Sequence, residues 1–446
     1  MIQKSIEAPE WLTSGSVYQI NPRTFSAEGT ISSVTKELPF LASLGISTVY
    51  LCPVFEADIS ETNQSPRQKA SQTGNPKNPY RMNDYFTVDE EYGTMDDLKE
   101  CIRECHRLGM HIILDIVYLH IGPNAPILKI HPEFAKQNAD GSFILGPWSF
   151  PVLDFSCPGL REYLWSNMVY YVAVMDADGF RCDVGDIVPI GFWEEGKRRI
   201  CAVKPDAVLI DEGIDGEKVL SAFNAVYGFS WHACLYNIFT GIADASSLKV
   251  IWEETNTKYP AGALILRDMD NHNTVTDWPE RIETLIGHRG MDLVTALNHC
   301  IDGIPMVYCG NELCCDTLIN MFANRFYPGR FSATPREKLK TTPQALRREE
   351  IIKTLNRERK ENGLFGTGKT EWIAHDRPES VIAFKRCLKD EKLLFIANLS
   401  KSETTVKINE SLSEKELKVI YSSCAQTTGS DTLNFAPFGF AIYKTR

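Results

Sequence analysis

A helix that ends at a glycine and is followed directly by an apolar strand occurs twice in the first quarter of this chain. A helix predicted over 32–44 ends at Gly45, before the apolar run Ile46–Val54. A second helix ends at Gly109, before the run His111–Val117. Strands joined by crossover helices pair in parallel, and glycine is the usual residue after a helix end. The repeated unit therefore predicts an α/β fold built on a parallel sheet.

The alternation of helices and apolar runs continues until eight strands are counted. Eight parallel strands alternating with helices close into a (β/α)8 TIM barrel. The alternative is an open doubly wound sheet, which is disfavoured because no glycine-rich phosphate loop follows the first strand. The predicted strands are Ser16–Ile20, Ile46–Val54, His111–Val117, Gly179–Val184, Ala207–Asp211, Val226–Trp231, Ala263–Met269 and Ile304–Cys309.

Stretches of different composition interrupt this rhythm and predict the domain organisation. Residues 56–79 are polar and form a long loop after the second strand, and residues 119–151 separate the third strand from the next helix. Toward the end of the chain short alternating apolar runs indicate an antiparallel β-sandwich. We predict a catalytic barrel over 1–118 and 152–362, an inserted subdomain over 119–151, and a carboxy-terminal β domain over 363–446.

Composition excludes several classes of partner. The chain has 47 Lys and Arg against 58 Asp and Glu, a net charge of −11, so a nucleic-acid or anionic-membrane partner is not expected. The sequence contains no run of about 18 apolar residues, so no membrane span is expected. No apolar signal region is visible near the first residue, although a signal could have been trimmed. The 13 cysteines include no pair spaced C-x-x-C, which favours reduced thiols, a cytoplasmic location and no zinc site.

Carboxylates follow two neighbouring strands of the predicted barrel. Asp183 ends the fourth strand and Glu212 follows the fifth. Barrel enzymes place their chemistry at the carboxyl ends of the strands, so these side chains should share one pocket. A retaining glycosidase needs such a pair, one as nucleophile and one as acid and then base, about 5–5.5 Å apart. Arg181 lies on the same strand face as Asp183 and can keep it ionised. The alternative is a pair of structural carboxylates that cap loops.

Four short motifs, in order and at fitting spacing, resemble those of glycoside hydrolase family 13, the α-amylase family. They are residues 115–120, residues 179–183, Glu212 and residues 271–273, and Tyr80 with Asp84 matches a fifth, weaker pattern. The resemblance covers nearly the whole chain. It implies a TIM barrel, a small insertion after strand 3 and a carboxy-terminal β-sandwich, which is the plan predicted above.

The resemblance also implies roles for individual residues. Asp183 would be the nucleophile, and Glu212 would be the general acid and then the base. The histidines would bind sugar hydroxyls, and the tyrosine would stack on the ring of the reacting sugar. In this sequence the implied substrate-binding residues are Tyr80, His120, Arg181 and His272.

Two residues depart from the family pattern. Leu119 stands where the family has an Asn that commonly binds structural calcium, and leucine offers no oxygen, so calcium is doubtful and no metal or cofactor is expected. Asn273 stands where the family has its third catalytic Asp. Three explanations stay open: compensation by Asp270 or Asp277, a catalytically inactive relative, or an engineered substitution.

We therefore expect a retaining glycosidase or transglycosylase that acts on α-glucosidic bonds of starch-like maltooligosaccharides, with catalysis impaired at Asn273. The alternative is a catalytically inactive α-glucan-binding relative. If the rest of the pocket fits the transition state, Asn273→Asp should raise turnover by at least about tenfold.

Overall fold

The computed structural model describes residues 4–214, 216–327, 333–413 and 417–445. The outer limits of the predicted domains, residues 1 and 446, lie outside the described residues. Eight parallel strands form a closed barrel in which each strand pairs with the next and β8 pairs with β1. The barrel strands are β1 Val17–Ile20, β2 Thr48–Leu51, β3 His111–Ile116, β4 Gly179–Cys182, β5 Val208–Asp211, β6 Ala225–Tyr227, β7 Leu264–Arg267 and β8 Ile304–Tyr308.

The predicted α/β barrel is therefore confirmed, and the open doubly wound sheet is wrong. The strand predicted over Val226–Trp231 was placed too far along the chain, because β6 ends at Tyr227 and a helix begins at Phe229. Bulky aromatic residues on both sides of Gly228 made the two elements look like one apolar run. The α-helices of the barrel part are Glu10–Thr13, Pro22–Phe25, Ile31–Ser43, Pro66–Ser71, Met95–Arg107, Pro126–Ile130, Pro158–Ala173, Ile190–Val203, Phe229–Phe239, Ser247–Lys258, Thr274–Asp277, Ile282–Cys300, Arg336–Leu339, Pro343–Glu361 and Gly363–Thr367.

Helix ends follow the local sequence. Thr94 and Asp97 form a capping box at the start of Met95–Arg107, with each side chain accepting from the backbone N–H of the other. The polar loop over 56–79 contains a short helix, Pro66–Ser71, whose first turn is capped by Ser65. Short 3₁₀ helices occur at Pro132–Phe134, Gly216–Leu220 and Asn311–Leu313. Within the described part of the chain, no helix has the length and apolar character that crossing a bilayer requires.

The insertion after β3 is tied to the barrel rather than separate from it. Single β-bridges join His120, at the start of the insertion, to Val152, and Ala135, within it, to Leu153 just after its end. Phe134 is buried in the same apolar cluster as the barrel strands and helices. The division into a barrel and an inserted subdomain stays a prediction.

The carboxy-terminal domain is an antiparallel sheet of six strands, as expected for its β class. Strand β14 pairs with β13 along one edge, and with β12 and β11 along the first and second parts of its other edge. Apolar residues such as Phe384 and Phe395 pack with Leu297 of a barrel helix, which fixes this domain to the barrel. The strands are β9 Lys369–Trp372, β10 Val381–Leu388, β11 Glu391–Asn398, β12 Thr404–Lys407, β13 Leu417–Thr427 and β14 Thr432–Thr445.

Gly179 begins the strand that carries Arg181 and Asp183, and its backbone requires glycine. Its φ is +146°, a value that side chains disfavour. A Cβ atom there would lie 2.1 Å from the carbonyl oxygen of Val208, at the start of β5. Because Gly179 has no side chain, β4 and β5 can pair closely below the polar residues at the ends of these strands.

We expect Gly179→Ala to lower the free energy of unfolding by more than about 1 kcal/mol, because the residue would be strained and would overlap β5. Gly191→Ala is the matched control, since Gly191 lies in a helix with open space around it. Alanine should leave stability unchanged or raise it there. Urea unfolding measures both, and equal effects of the two changes would contradict the account.

Candidate active site

A pocket opens at the carboxyl ends of the barrel strands. Its cavity volume is about 100 Å³. Six of the seven predicted site residues line it, and the seventh, Arg181, lies buried beneath and contacts two of them. The lining residues are Ser65, Arg67, Asn78, Tyr80, His120, Trp148, Phe150, Asp183, Val184, Glu212, His272, Asn273, Met321 and Phe322.

The Arg181 guanidinium is fully buried and faces three carboxyl groups. Its Nη1 donates to Asp115 Oδ1 at 2.7 Å and to Asp183 Oδ1 at 2.9 Å. Its Nη2 lies 2.6 Å from Glu212 Oε2. A buried cation is costly unless it is paired, and these contacts join three adjacent strands around one charge. Asp183 and Glu212 are thereby held side by side at the pocket floor.

Their protonation differs although both are buried. Burial raises the pKa of Asp183 to about 6 and that of Glu212 to about 7, against the opposing charge of Arg181. The neighbouring Asp183 carboxyl raises the pKa of Glu212 further, whereas the Glu212 carboxyl lowers the pKa of Asp183. Asp183 therefore ionises first and Glu212 keeps its proton longer. Environments that push the pKa values of two carboxyls apart are how one acid and one base are obtained from two similar groups.

Asp115, a polar residue at the end of the third predicted strand and the first residue of the motif over 115–120, supports the pocket from below. Its Oδ2 accepts from the hydroxyl groups of Tyr50 at 2.7 Å and Tyr80 at 3.0 Å. The Tyr80 ring lies nearly parallel to the ring of His272, with centroids 5.3 Å apart. The orientation of Tyr80 is therefore fixed before any ligand binds.

The two predicted histidines differ in what they offer a ligand. His120 Nε2 hydrogen-bonds the Tyr80 carbonyl at 2.9 Å, while its buried Nδ1 has no partner among the described residues. Burial lowers the pKa of His120 to about 4, so the ring is neutral and Nδ1 can accept a hydrogen bond from a hydroxyl group. His272 has both nitrogens engaged, by the Tyr80 hydroxyl and by Gln19, each at 2.9 Å. His272 therefore holds the side chains of Tyr80 and Gln19 in place.

Arg67 reaches the pocket from the loop over 56–79, and sequence reasoning missed it. Its Nη1 donates to Asn273 Oδ1 at 3.1 Å, and its guanidinium pairs with Asp277 at 2.8 Å. The Asn273 amide then points its Nδ2 toward Glu212 Oε1, at 3.4 Å. Arg67 has no apolar periodicity or motif around it that could have indicated this contact. The position of the missing third carboxylate is thus occupied by an amide fixed between a cation and an acid.

Leu119 packs into the main apolar cluster of the barrel and is nearly inaccessible. Close to the loop that follows His120, the guanidinium of Arg81 donates to five backbone carbonyl oxygens and lies 3.4 Å from a carboxylate oxygen of Asp58. A second oxygen of Asp58 accepts from the backbone of Asn124 at 3.0 Å. The five carbonyls belong to Asp58, Ser60, Thr62, Asn63 and Pro76. These residues do not fit a calcium ion, because a fixed cation already collects the oxygens there.

Comparisons with known proteins agree with the motifs. Residues 14–145 match the family model of the α-amylase catalytic domain, and residues 381–439 match that of the SusG α-amylase carboxy-terminal domain. A cyclomaltodextrinase of Bacillus sp. is 26% identical to this chain. The aligned region covers 69% of this chain and only 60% of that relative's length. A maltogenic α-amylase of Bacillus acidopullulyticus is 23% identical over 93% of this chain and 74% of its own.

Solved structures with the same fold cover the whole chain. The structure of a maltogenic α-amylase from Thermotoga neapolitana aligns with a TM-score of 0.79 at 22% identity, over 97% of this chain and 99% of its own. An α-amylase from Lactobacillus plantarum aligns with the same score at 21% identity, over 98% and 100%. At this level of identity the likeness establishes the fold.

Asp211, just before Glu212, is a buried carboxyl group without the support that its neighbours have. It is fully buried, and neither oxygen has a hydrogen-bond partner in the described part of the chain. Burial and the nearby Asp186 raise the pKa of Asp211 to about 8. The group is therefore protonated in the folded protein at neutral pH and ionised in the unfolded chain, where its pKa is about 3.9.

A carboxyl whose folded-state pKa is raised stabilises the fold at low pH, and this contribution falls as the pH rises through the window from about 4 to 8, by up to about 1.4 kcal/mol per pH unit. An asparagine does not titrate. The melting temperature of Asp211→Asn relative to the parent should therefore rise from pH 5 to pH 8. Asp206→Asn, at an exposed acid, should show a flat difference. A flat difference at Asp211 as well would contradict the assignment.

Proposed function

Since this chain belongs to the α-amylase family of glycoside hydrolases, we propose that it acts on α-glucosidic bonds of α-glucans with retention of configuration. The observation that carries this proposal is the carboxyl pair Asp183 and Glu212 held on Arg181 at the pocket floor. Retaining enzymes keep the two carboxyls close, whereas inverting enzymes leave room for a water between them. Asp183 and Glu212 both contact the single guanidinium of Arg181, at 2.9 Å and 2.6 Å, which supports the close arrangement.

The protonation states support a two-step displacement. In the first step Asp183, ionised, attacks the anomeric carbon while Glu212 gives its proton to the departing glycosidic oxygen. In the second step Glu212 takes a proton from water, and the water oxygen replaces Asp183 at the same carbon. An acceptor sugar hydroxyl in place of water gives transglycosylation. The free Nδ1 of His120 is placed to accept a hydroxyl of the reacting sugar.

The pocket supports short or cyclic maltooligosaccharides as substrates. Ser65 and Arg67, from the loop over 56–79, form part of its wall and narrow it. Trp148 and Phe150 also line the pocket and flank His120, with ring centroids 5.4 Å and 4.9 Å from its ring. Aromatic faces of this kind suit the apolar faces of glucosyl units. Relatives named cyclomaltodextrinase and maltogenic amylase point in the same direction.

Hydrolysis of β-cyclodextrin and maltoheptaose by the full chain tests this function. Asp183→Asn, nearly isosteric, should lower kcat/KM by at least about a thousandfold because the nucleophile is lost. Asp206→Asn, at an exposed acid just before the amino-terminal end of β5, should leave it unchanged. An Asp183→Asn variant as active as the parent would exclude the proposed nucleophile.

The alternative function, α-glucan binding without catalysis, is favoured by one observation, the neutral amide at position 273. It predicts that the parent binds maltoheptaose in calorimetry but releases no product. Release of product by the parent that is abolished in Asp183→Asn would exclude it.

The contact of Arg67 with Asn273 changes what restoring the family carboxylate should do. An aspartate at 273 would pair with Arg67, whose Nη1 lies 3.1 Å from Asn273 Oδ1, so little of its charge would reach the substrate. We expect Asn273→Asp alone to raise kcat by less than about tenfold, and Asn273→Asp with Arg67→Met to raise it by at least about tenfold. Lys69→Met replaces an exposed cation of the same helix and should add nothing to Asn273→Asp. Equal kcat values for the two double variants would show that Arg67 does not screen the site.

We also propose that no calcium ion is bound beside the loop that follows His120, because Leu119 and Arg81 fill the place with an apolar side chain and a guanidinium. Adding calcium to chelator-treated protein should leave its melting temperature unchanged. Arg81→Met should lower it, because five backbone carbonyl groups lose a hydrogen-bond donor. A calcium-dependent, saturating rise of the parent's melting temperature would contradict this.

A further inference from the structure

A second cluster of chemically reactive side chains lies outside the pocket. Glu283 is near the start of the helix Ile282–Cys300, and His288 follows it within the same helix. Cys314 comes directly after the 3₁₀ helix Asn311–Leu313, which follows β8. One carboxylate oxygen, one imidazole nitrogen and one thiol sulfur from these residues lie within 4.8 Å of one another.

We propose that Glu283, His288 and Cys314 bind one divalent metal ion of the zinc class, with a water as fourth ligand. A carboxylate, an imidazole and a thiolate are all ordinary zinc ligands, and the sulfur disfavours calcium and magnesium. Bond lengths of about 2.0–2.3 Å place ligand atoms of a tetrahedral site roughly 3.3–3.7 Å apart, so side-chain shifts of about 1 Å would close the site.

The backbone places the three side chains together from distant parts of the sequence. Gly287 breaks the helix with a φ of +70°, so His288 does not continue the register that begins at Glu283. His288 Nδ1 and Glu283 Oε1 are 2.6 Å apart. Cys314 has a φ of +56°, which is uncommon for a residue with a side chain. The site therefore joins the helix Ile282–Cys300, which lies between β7 and β8, to the turn that follows β8.

Accessibility and bonding also suit an ion. The His288 side chain is 39% exposed, whereas that of Glu283 is fully buried. A metal ion could therefore reach the cluster from solvent on the His288 side and keep a water there. The thiol of Cys314 is buried and has no hydrogen-bond partner among the described residues. A simple ion pair between Glu283 and His288 would not require the Cys314 thiol beside it, whereas a metal ion would use that thiol as a ligand.

Binding of a divalent ion can leave the net charge of the cluster unchanged, even though Arg348 already pairs with Glu283. Arg348 donates to both carboxylate oxygens, at 2.7 Å and 3.0 Å. A divalent ion would displace the proton between Glu283 and His288 and the proton of the Cys314 thiol, and both protons would leave to solvent. Two protons are exchanged for two positive charges, so the net charge beside Arg348 stays the same. Each carboxylate oxygen has a second lone pair, so Arg348 can keep its bonds.

The adjacent Cys315 supplies the matched control. It is equally buried but is not part of the cluster, and its thiol lies near Arg281 instead. Replacing either cysteine with serine removes one thiol from the same turn. The two variants should therefore differ only in metal binding if the proposal is correct.

The test uses the reduced full chain after chelator treatment, titrated with Co²⁺ by absorbance and with Zn²⁺ by calorimetry. The parent should take up one equivalent with a thiolate-to-cobalt charge-transfer band, and zinc should raise its melting temperature by about 3 °C or more. Cys315→Ser should behave as the parent, whereas Cys314→Ser should lose the band and one equivalent. His288→Gln, at a half-exposed residue, should weaken binding at least about tenfold.

Circular dichroism and the melting temperature without metal show whether each variant is folded. If the parent takes up no metal, or if Cys314→Ser and Cys315→Ser bind alike, the site does not exist. Full zinc affinity in His288→Gln would equally overturn the proposed ligand set. None of these outcomes depends on whether the chain cleaves α-glucans.

Discussion

The guanidinium of Arg181 is the charge around which the pocket is built. It is fully buried and contacts Asp115, Asp183 and Glu212, which come from three consecutive strands. The three carboxyls would repel one another without it, and it would be an unpaired buried cation without them. Closure of the barrel brings the strands into the register that places all four groups together, with Asp115 directly opposite Arg181. The fold and the chemistry of the site therefore depend on the same contacts.

Much of this arrangement could be predicted from the sequence because its signals are local. Helix, glycine and strand follow one another within a few residues, and the carboxylates stand at the ends of apolar runs. Arg67 and Arg81 could not be predicted, since their partners are brought near only by folding and neither residue lies in a segment with apolar periodicity. The place of Glu283 beside Cys314 was hidden for the same reason, and cysteine spacing predicted no zinc site. The strand near Val226 was misplaced because aromatic residues continue past its end.

The amide of Asn273 gives this pocket one negative charge fewer than the family pattern implies. The family pattern has an acid there, whereas this chain has an amide that accepts from Arg67 and faces Glu212. An ionised acid at this position would lie close to Glu212 and would favour the protonated form of that carboxyl further. The amide avoids this repulsion, while the pair Asp183 and Glu212 keeps its separation in pKa. In the mechanism that we propose, catalysis then depends on two carboxyls and on Arg181.

The central claim is that Asp183 and Glu212 act as a retaining pair. Proton NMR of the first product released from maltoheptaose, recorded before mutarotation, tests it most directly. The account predicts that the new reducing end is the α-anomer, since two displacements at one carbon restore its configuration. A β-anomer as the first product would contradict the account, because it requires direct attack by water with the two carboxyls far enough apart to admit it.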